Sequence, residues 1–544
     1  DNNTVLGNLA ASAMTTTSDT VIIGVEAGDA INSTDANGTV LIGRSAGGAI
    51  TSGAQNTAIG YQAGYSNSTG GYNTLLGYQA GYNLLTDNNV AIGWQALYKI
   101  GDAAGSGHGE NNVAIGLAAM AGGDDTDGNN IGYKNVAMGT ATLGGATRSS
   151  DGAAFTGYEN VAIGYNAGTN VSTSYRSVMI GTGAGDAITT TPGVVLIGYN
   201  AGGAINHDDA AYTVAIGQSA GAAITSGRYQ TLVGYNAGVS ITEGDSNTFI
   251  GYNSGDALTT GLENTALGYS SLGANITGQR SVAIGNNALG TNLASGWTYN
   301  TAVGWGAGSN NTVGSSGTFI GSRAGYNATG SYNTFVGTSA GEGGTTSAPY
   351  SSGQYNVAMG YKALTGFTTG DNNIAIGYQA ADSLTTADMV IAIGDNALQS
   401  LTTGGYGVAI GRQAMQAETG GATDFVSIGN LSGQYQNIGA AALNTYVGHT
   451  AGRQNRVGTN NTYIGHSAGE NRRGSANTAV GQGAMENLTF GTNNVAVGIS
   501  AMSYTSGSYN AVVGGYAGRF ATGSNNTFMG YEAGYGGTSS APYS

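Results

Sequence analysis

The chain of 544 residues has no cysteine and only 4 histidines, so the side chains able to do chemistry are few. In Gly122-Gly123-Asp124-Asp125-Thr126-Asp127-Gly128-Asn129, the residues Asp125, Asp127 and Asn129 alternate along the chain, with Gly128 between the last two. Oxygen ligands at alternate positions around a glycine turn are how calcium loops are built. Asp125, Asp127 and Asn129 are therefore the candidate calcium ligands. The stretch lacks the distal bidentate glutamate of an EF-hand and does not recur as a calcium-binding nonapeptide does. No other cofactor is called for. His449 and His466 each follow a glycine in adjacent repeats, which places two imidazoles about 5 Å apart if the repeats stack. Tyrosine fills that place elsewhere, so the two read as members of a row rather than as ligands. A glycosidase would have to draw its paired carboxylates from Glu26, Glu243, Glu263, Glu342, Glu418 and Glu470. These stand at no telling spacing, and no nucleophile lies near a base. The chain reads as a non-enzyme.

What would position any of these groups is a repeat. It reads NTAIG at Asn56–Gly60, NTLLG at Asn73–Gly77, NVAIG at Asn89–Gly93, NTFIG at Asn247–Gly251 and NVAVG at Asn494–Gly498. The phrase returns about thirty times, about every 17 residues, and a fixed period is the mark of a repeat architecture. Let the closing glycine be position 0. Position −1 is aliphatic, −2 is mostly Ala with an occasional Phe, −3 is Thr, Val or Ser, and −4 is usually Asn. A bulky residue, often Tyr, follows at +1. Val113-Ala114-Ile115, short, β-branched and bounded by Asn and Gly, reads as a strand. Glycine on both sides disfavours a helix. One coil is then a strand, a tight corner, a short second strand and a polar turn. Coils stacking at about 4.8 Å predict an all-β fold, a parallel β-solenoid (a β-roll of about thirty coils) on the order of 140 Å long. The repeat runs through residues 1–544 as a single continuous region.

Composition agrees. Glycine numbers 99 and proline 3, but the glycines keep fixed offsets from aliphatic residues, which separates this chain from collagen and from low-complexity disorder. The net charge of −15 and the scattered 15 basic residues argue against nucleic acid, which needs a basic stripe. No apolar run approaches the ~18 residues that span a membrane.

Parity matters for assembly. The strand is apolar on both faces, and such strands are buried on both. The expectation is that the −1 side chains (Ile59, Leu76, Ile92, Ile115, Ile163, Ile250, Ile284, Ile376) stack inside the coil, each burial contributing about 1.5–3 kcal/mol. The −2 side chains (Ala91, Ala114, Phe249, Phe319, Phe335, Ala358) would then face neighbouring copies about a rotation axis. Asn at −4 should form an amide ladder, and the +1 tyrosines an aromatic one. Coils starting at Gly93, Gly116, Gly139 and Gly337 are longer, which predicts protruding loops around 94–160 and 338–359. Asn526–Ser544 nearly duplicates Asn333–Ser351, so the native polypeptide is expected to continue past Ser544 with more solenoid, and to carry more coils or a cap before Asp1.

Asn89-Val90-Ala91-Ile92-Gly93 and Asn160-Val161-Ala162-Ile163-Gly164 resemble the head repeats of YadA-like trimeric autotransporter adhesins, a left-handed parallel β-roll of shorter period. The stretch Asn56–Asn83 is similar to repeats of phage-type tail-fibre proteins. The resemblance implies a homotrimeric extracellular fibre or adhesin shaft on a virion or cell surface. It would mediate attachment to a glycan or protein receptor, or space a distal receptor-binding tip. A matrix or appendage filament is the alternative. Adsorption to ice or a glycan lattice needs outward threonine in files, and the frequent Val at −3 suggests instead an inward or interfacial residue. A polysaccharide depolymerase is the remaining alternative.

Overall fold

The computed structural model describes residues 2–101, 109–122, 131–144, 155–293, 295–345, 350–438, 441–471, 473–487 and 490–536. The chain is all-β, a parallel β-solenoid with no α-helix among the described residues. It forms two compact units, Asp1–Thr277 and Gly278–Ser544.

The first unit carries fifteen three-residue strands, from Thr4–Leu6 to Thr265–Leu267. Each pairs parallel with the equivalent strand of the next coil, as in Val161↔Val178, Ala162↔Met179 and Ile163↔Ile180. The second unit repeats the design from Val282–Ile284 to Thr527–Met529. Two of its strands, Gly405–Ile410 and Thr423–Ile428, lengthen to six residues, and Gly278–Gln279 pairs with Gly296–Trp297 in a separate small sheet.

Strands end where they do because the backbone on either side leaves the extended region. Gly93 has φ 131°, and a Cβ there would meet the carbonyl oxygen of Gly116 in the next coil at 2.5 Å. Glycine at 0 is therefore demanded by stacking as well as by conformation. The expected second strand does not form after the glycine among the described residues. Positions +2 and +4 adopt left-handed backbone, as at Gln62 (φ 52°) and Gly64 (φ 60°), and an extended run cannot pass through them. That side of the coil is two successive turns, closed by Ala63 N–H to Gly60 O (3.3 Å) and Asn67 N–H to Gly64 O (3.2 Å). The turns still bond coil to coil, as from Gly64 N–H to Ala80 O (2.9 Å).

Asparagine at −4 points inward and works differently from a plain amide ladder. The Oδ1 of Asn56 accepts the backbone N–H of Asn73 (3.0 Å), that of Asn73 the N–H of Asn89 (2.9 Å), and that of Asn89 the N–H of Asn112 (2.9 Å). The Nδ2 group donates to a carbonyl of the polar turn, as from Asn56 to Gly70 (2.8 Å). Each asparagine thus satisfies backbone groups that a buried corner would otherwise leave unpaired. Amide-to-amide bonds add to this in places, as from Asn510 Nδ2 to Asn494 Oδ1 (3.0 Å). Left-handed backbone falls one residue earlier, at Tyr72, Asn88 and Asn111.

The parity expected from sequence is overturned. Ala91, Ala114, Phe249, Phe319, Phe335 and Ala358 are all fully buried inside their own coils. The −1 residues face outward: Leu76 is 44% and Ile250 37% exposed, and Ile59, Ile92, Ile115, Ile163, Ile284 and Ile376 are half-buried. Period-two alternation puts −2 on the same side as −4, and the inward asparagine therefore fixes −2 inside. Burial at +7 agrees with the assignment. The third wall of the core is position +7, buried opposite −2 whether the pair is Phe319 with Ala328, Ala358 with Phe367 or Phe249 with Leu258.

Insertions leave the ladder undisturbed. Val90–Ile92, Val113–Ile115, Val136–Met138 and Val161–Ile163 pair without a slip across the longer coils. Thr334–Val336 does the same with Val357–Met359. Residues 102–108, 123–130, 145–154 and 346–349 of those insertions lie outside the described residues.

Candidate functional site

Asp125, Asp127 and Asn129, the candidate calcium ligands, lie outside the described residues. His449 and His466 stack with ring centroids 5.0 Å apart and planes 12° from parallel, both exposed at +1. No cluster of three or more His, Asp or Glu side chains suited to a metal occurs among the described residues. The six candidate glutamates are spread over different coils, and four of them have separate partners. Glu342 faces Arg323 and Glu470 faces Arg453, while Glu26 accepts from the Ser45 hydroxyl (3.2 Å). Glu418 is buried, and its carboxylate accepts the N–H groups of Gly420 (3.3 Å) and Ile438 (3.1 Å).

The feature that stands out is instead the outer face of the sheet. In the first unit −3 is Thr or Val in every strand, and −1 is Ile, Leu, Val or Met. No charged residue occupies either position in any strand of the ladder in either unit. These side chains form two parallel files, one rung per coil. A parallel sheet with one bare apolar face departs from the usual rule that both faces are covered. The reason sequence reasoning missed this face is the parity error; the inward asparagine was the signal that could have found it.

Threonines on this face differ from those elsewhere. At +8, Thr225, Thr242 and Thr259 donate to the carbonyls of Thr242 (3.1 Å), Thr259 (3.3 Å) and Ile276 (3.0 Å) in the following coils. On the sheet face, the hydroxyls of Thr57, Thr74, Thr231, Thr248 and Thr265 make no hydrogen bond to the chain among the described residues.

Aromatic rows border the files. At +1, Tyr235, Tyr252 and Tyr269 stack at 4.9 and 5.3 Å with planes within 12° of parallel. On the other border Tyr133, Tyr158 and Tyr175 stack at 5.1 and 5.0 Å. In such a row the faces of a middle ring are taken by its neighbours, so Tyr252 and Tyr158 present edges and hydroxyls outward rather than a stacking platform. Ion pairs on the same border, Arg176 to Glu159 (2.9 Å) and Arg228 to Asp245 (3.4 Å), are exposed and contribute little.

Three carboxyls on the turn side carry a pH signature. Burial raises Asp186 and Asp256 from the ordinary aspartate value, against the lowering by nearby backbone N–H groups. Burial does the same to Asp382, opposed by Thr365 and Lys362. An acid whose folded pKa exceeds its unfolded one destabilises the fold once ionised, and the loss disappears below the unfolded pKa, near 3.9. Replacing all three by Asn is therefore expected to raise the thermal midpoint at pH 7. The gain should shrink on acidification and vanish by about pH 3.5. Thermal unfolding followed by circular dichroism at both pH values checks this; a variant less stable at pH 7 would count against it.

No family model, curated protein or solved structure matches the chain. No helix of the described residues is long and apolar enough to cross a membrane.

Proposed function

We propose that the chain is the shaft of a non-catalytic extracellular fibre or adhesin, carried on a virion or cell surface, in which copies bury their −3/−1 faces against one another. Three copies about one axis is the arrangement we favour, with attachment or the spacing of a distal receptor-binding tip as the role. The observation that carries this reading is the uncharged aliphatic face of a parallel sheet, running through successive coils. With rungs about 4.8 Å apart and three residues wide, fifteen strands offer about 700 Å². Exposed apolar patches of that size mark interaction surfaces, and one partner in a standard interface contributes about 800 Å². Stacked coils suit a shaft because stability is a sum of coil and neighbour terms. A matrix or appendage filament would use the same face.

Adsorption to an ordered lattice gains one point from the outward −3 threonines with free hydroxyls. The −1 file speaks against it, since side chains as different as Leu76, Met138 and Val233 give an uneven surface. Contact with another polypeptide tolerates that unevenness by complementary packing.

Sedimentation equilibrium of the chain tests the proposal, with a Val161→Glu, Val178→Lys double variant beside it. The two new charges face each other on adjacent rungs of one chain and compensate there, but burial at an interface isolates them from water. The parent should be oligomeric and the variant a folded monomer by circular dichroism. A monomeric parent overturns the reading, and inhibition of ice recrystallisation by that monomer would support lattice adsorption in its place.

A further inference from the structure

Rungs of near-identical geometry pose a problem for any association through this face. A copy shifted by one coil would meet almost the same surface, and registers of that kind are weakly specified unless something marks the rungs. The −3 file carries such marks. In the first unit Thr57 and Thr74 are followed by seven successive valines, from Val90 to Val214, and then by Thr231, Thr248 and Thr265. Threonine and valine are nearly the same shape, so the backbone and the methyl surface continue unchanged across the block boundaries. Only the hydroxyl comes and goes.

We infer that this order of Thr and Val along the −3 file holds parallel copies in register, coil against identical coil. The inference rests on the self-association proposed above. About a rotation axis along the stacking direction equivalent coils stand level, and with the −3 file turned toward that axis each −3 residue faces its own equivalents. Threonine blocks then meet threonine blocks, where each hydroxyl can donate to one partner and accept from another. Valine blocks meet valine blocks and stay dry. A slip of one coil sets Thr against Val at every block boundary, and a buried hydroxyl facing a methyl group loses its partner. A slip of several coils mismatches whole blocks. The free hydroxyls fit this role. Threonines at +8 are tied to their own chain, whereas Thr231, Thr248 and Thr265 keep their hydroxyls unspent among the described residues.

The absence of native cysteine makes the test direct. Thr248→Cys and Val113→Cys are made as separate single variants of the full chain. Each is oxidised, and covalent dimers are counted on denaturing gels, with sedimentation and circular dichroism run on the same samples. Parallel, in-register copies bring like residues together, so both variants should cross-link. An oligomer in which neither or only one cross-links overturns the register inference and leaves self-association standing. A monomer by sedimentation removes the reading on which the inference rests. A third chain carries Val113→Cys with Thr57→Val, Thr74→Val, Thr231→Val, Thr248→Val and Thr265→Val. It should remain oligomeric while its cross-linking yield falls several-fold, because slipped registers become competitive. An unchanged yield would show that the hydroxyl pattern does not set the register.

Discussion

Phe335→Ala is expected to destabilise the second unit by about 3–5 kcal/mol, the range for emptying a large aromatic site in a packed core. Phe335 is fully buried. Its ring lies 5.9 Å from that of Phe319 and 5.4 Å from that of Phe367 in the neighbouring coils. The facing position in its own coil is Gly344, so nothing can move in to fill the space. Ile320→Ala, on the outer face and 41% exposed, should cost an isolated chain no more than about 1 kcal/mol. The two should also differ in concentration dependence. Loss at Phe335 is internal to the coil and should be independent of protein concentration, whereas loss at Ile320 should deepen on dilution if copies associate. Urea unfolding at two protein concentrations measures both. A larger loss at Ile320 in the dilute limit would restore the parity that the structure overturns.

Gly251→Ala should be nearly as damaging although it adds a single methyl group. Gly251 has φ 139°, and a Cβ at that position would lie 2.7 Å from the carbonyl carbon of Gly268 in the next coil. Backbone strain of this kind costs about 1–3 kcal/mol. The collision is with main chain, so no rotamer change relieves it; a total above about 3 kcal/mol is expected. The ladder should open there, and protease sites should appear around residues 245–270 while distant coils stay protected, since repeats interact chiefly with neighbours. Gly515→Ala is the control. Its nearest obstacle is the Tyr531 ring at 3.5 Å, an ordinary contact, and that change should be close to neutral. Equal protease resistance of the two variants would show that the glycine stack is not what closes the corner.

Much of the architecture was legible in the order of residues. The period, the strand at −3 to −1, the glycine after it and the stacked asparagines, tyrosines and histidines all follow from local rules. Stacking identical coils simply carries those rules from rung to rung. The insertions were legible too, because extra residues between invariant phrases have to leave the ladder intact.

Which face of the strand is inside was not legible from apolarity, because both faces are apolar. It was decided by the coil as a closed object. Asn56 and its equivalents must turn inward to bond buried carbonyl and N–H groups, and alternation then carries −2 inward with them. Side chains at −2 and +7, such as Phe249 and Leu258, are both buried in a core that exists only once the coil has closed. The second strand failed for a similar reason: residues after the glycine read as extended, but the narrow coil needs two left-handed turns there to bring the chain back. Local sequence thus determined the strand and its period, while closure of the coil decided that Val, Thr and Ile line the outside, where another surface can meet them.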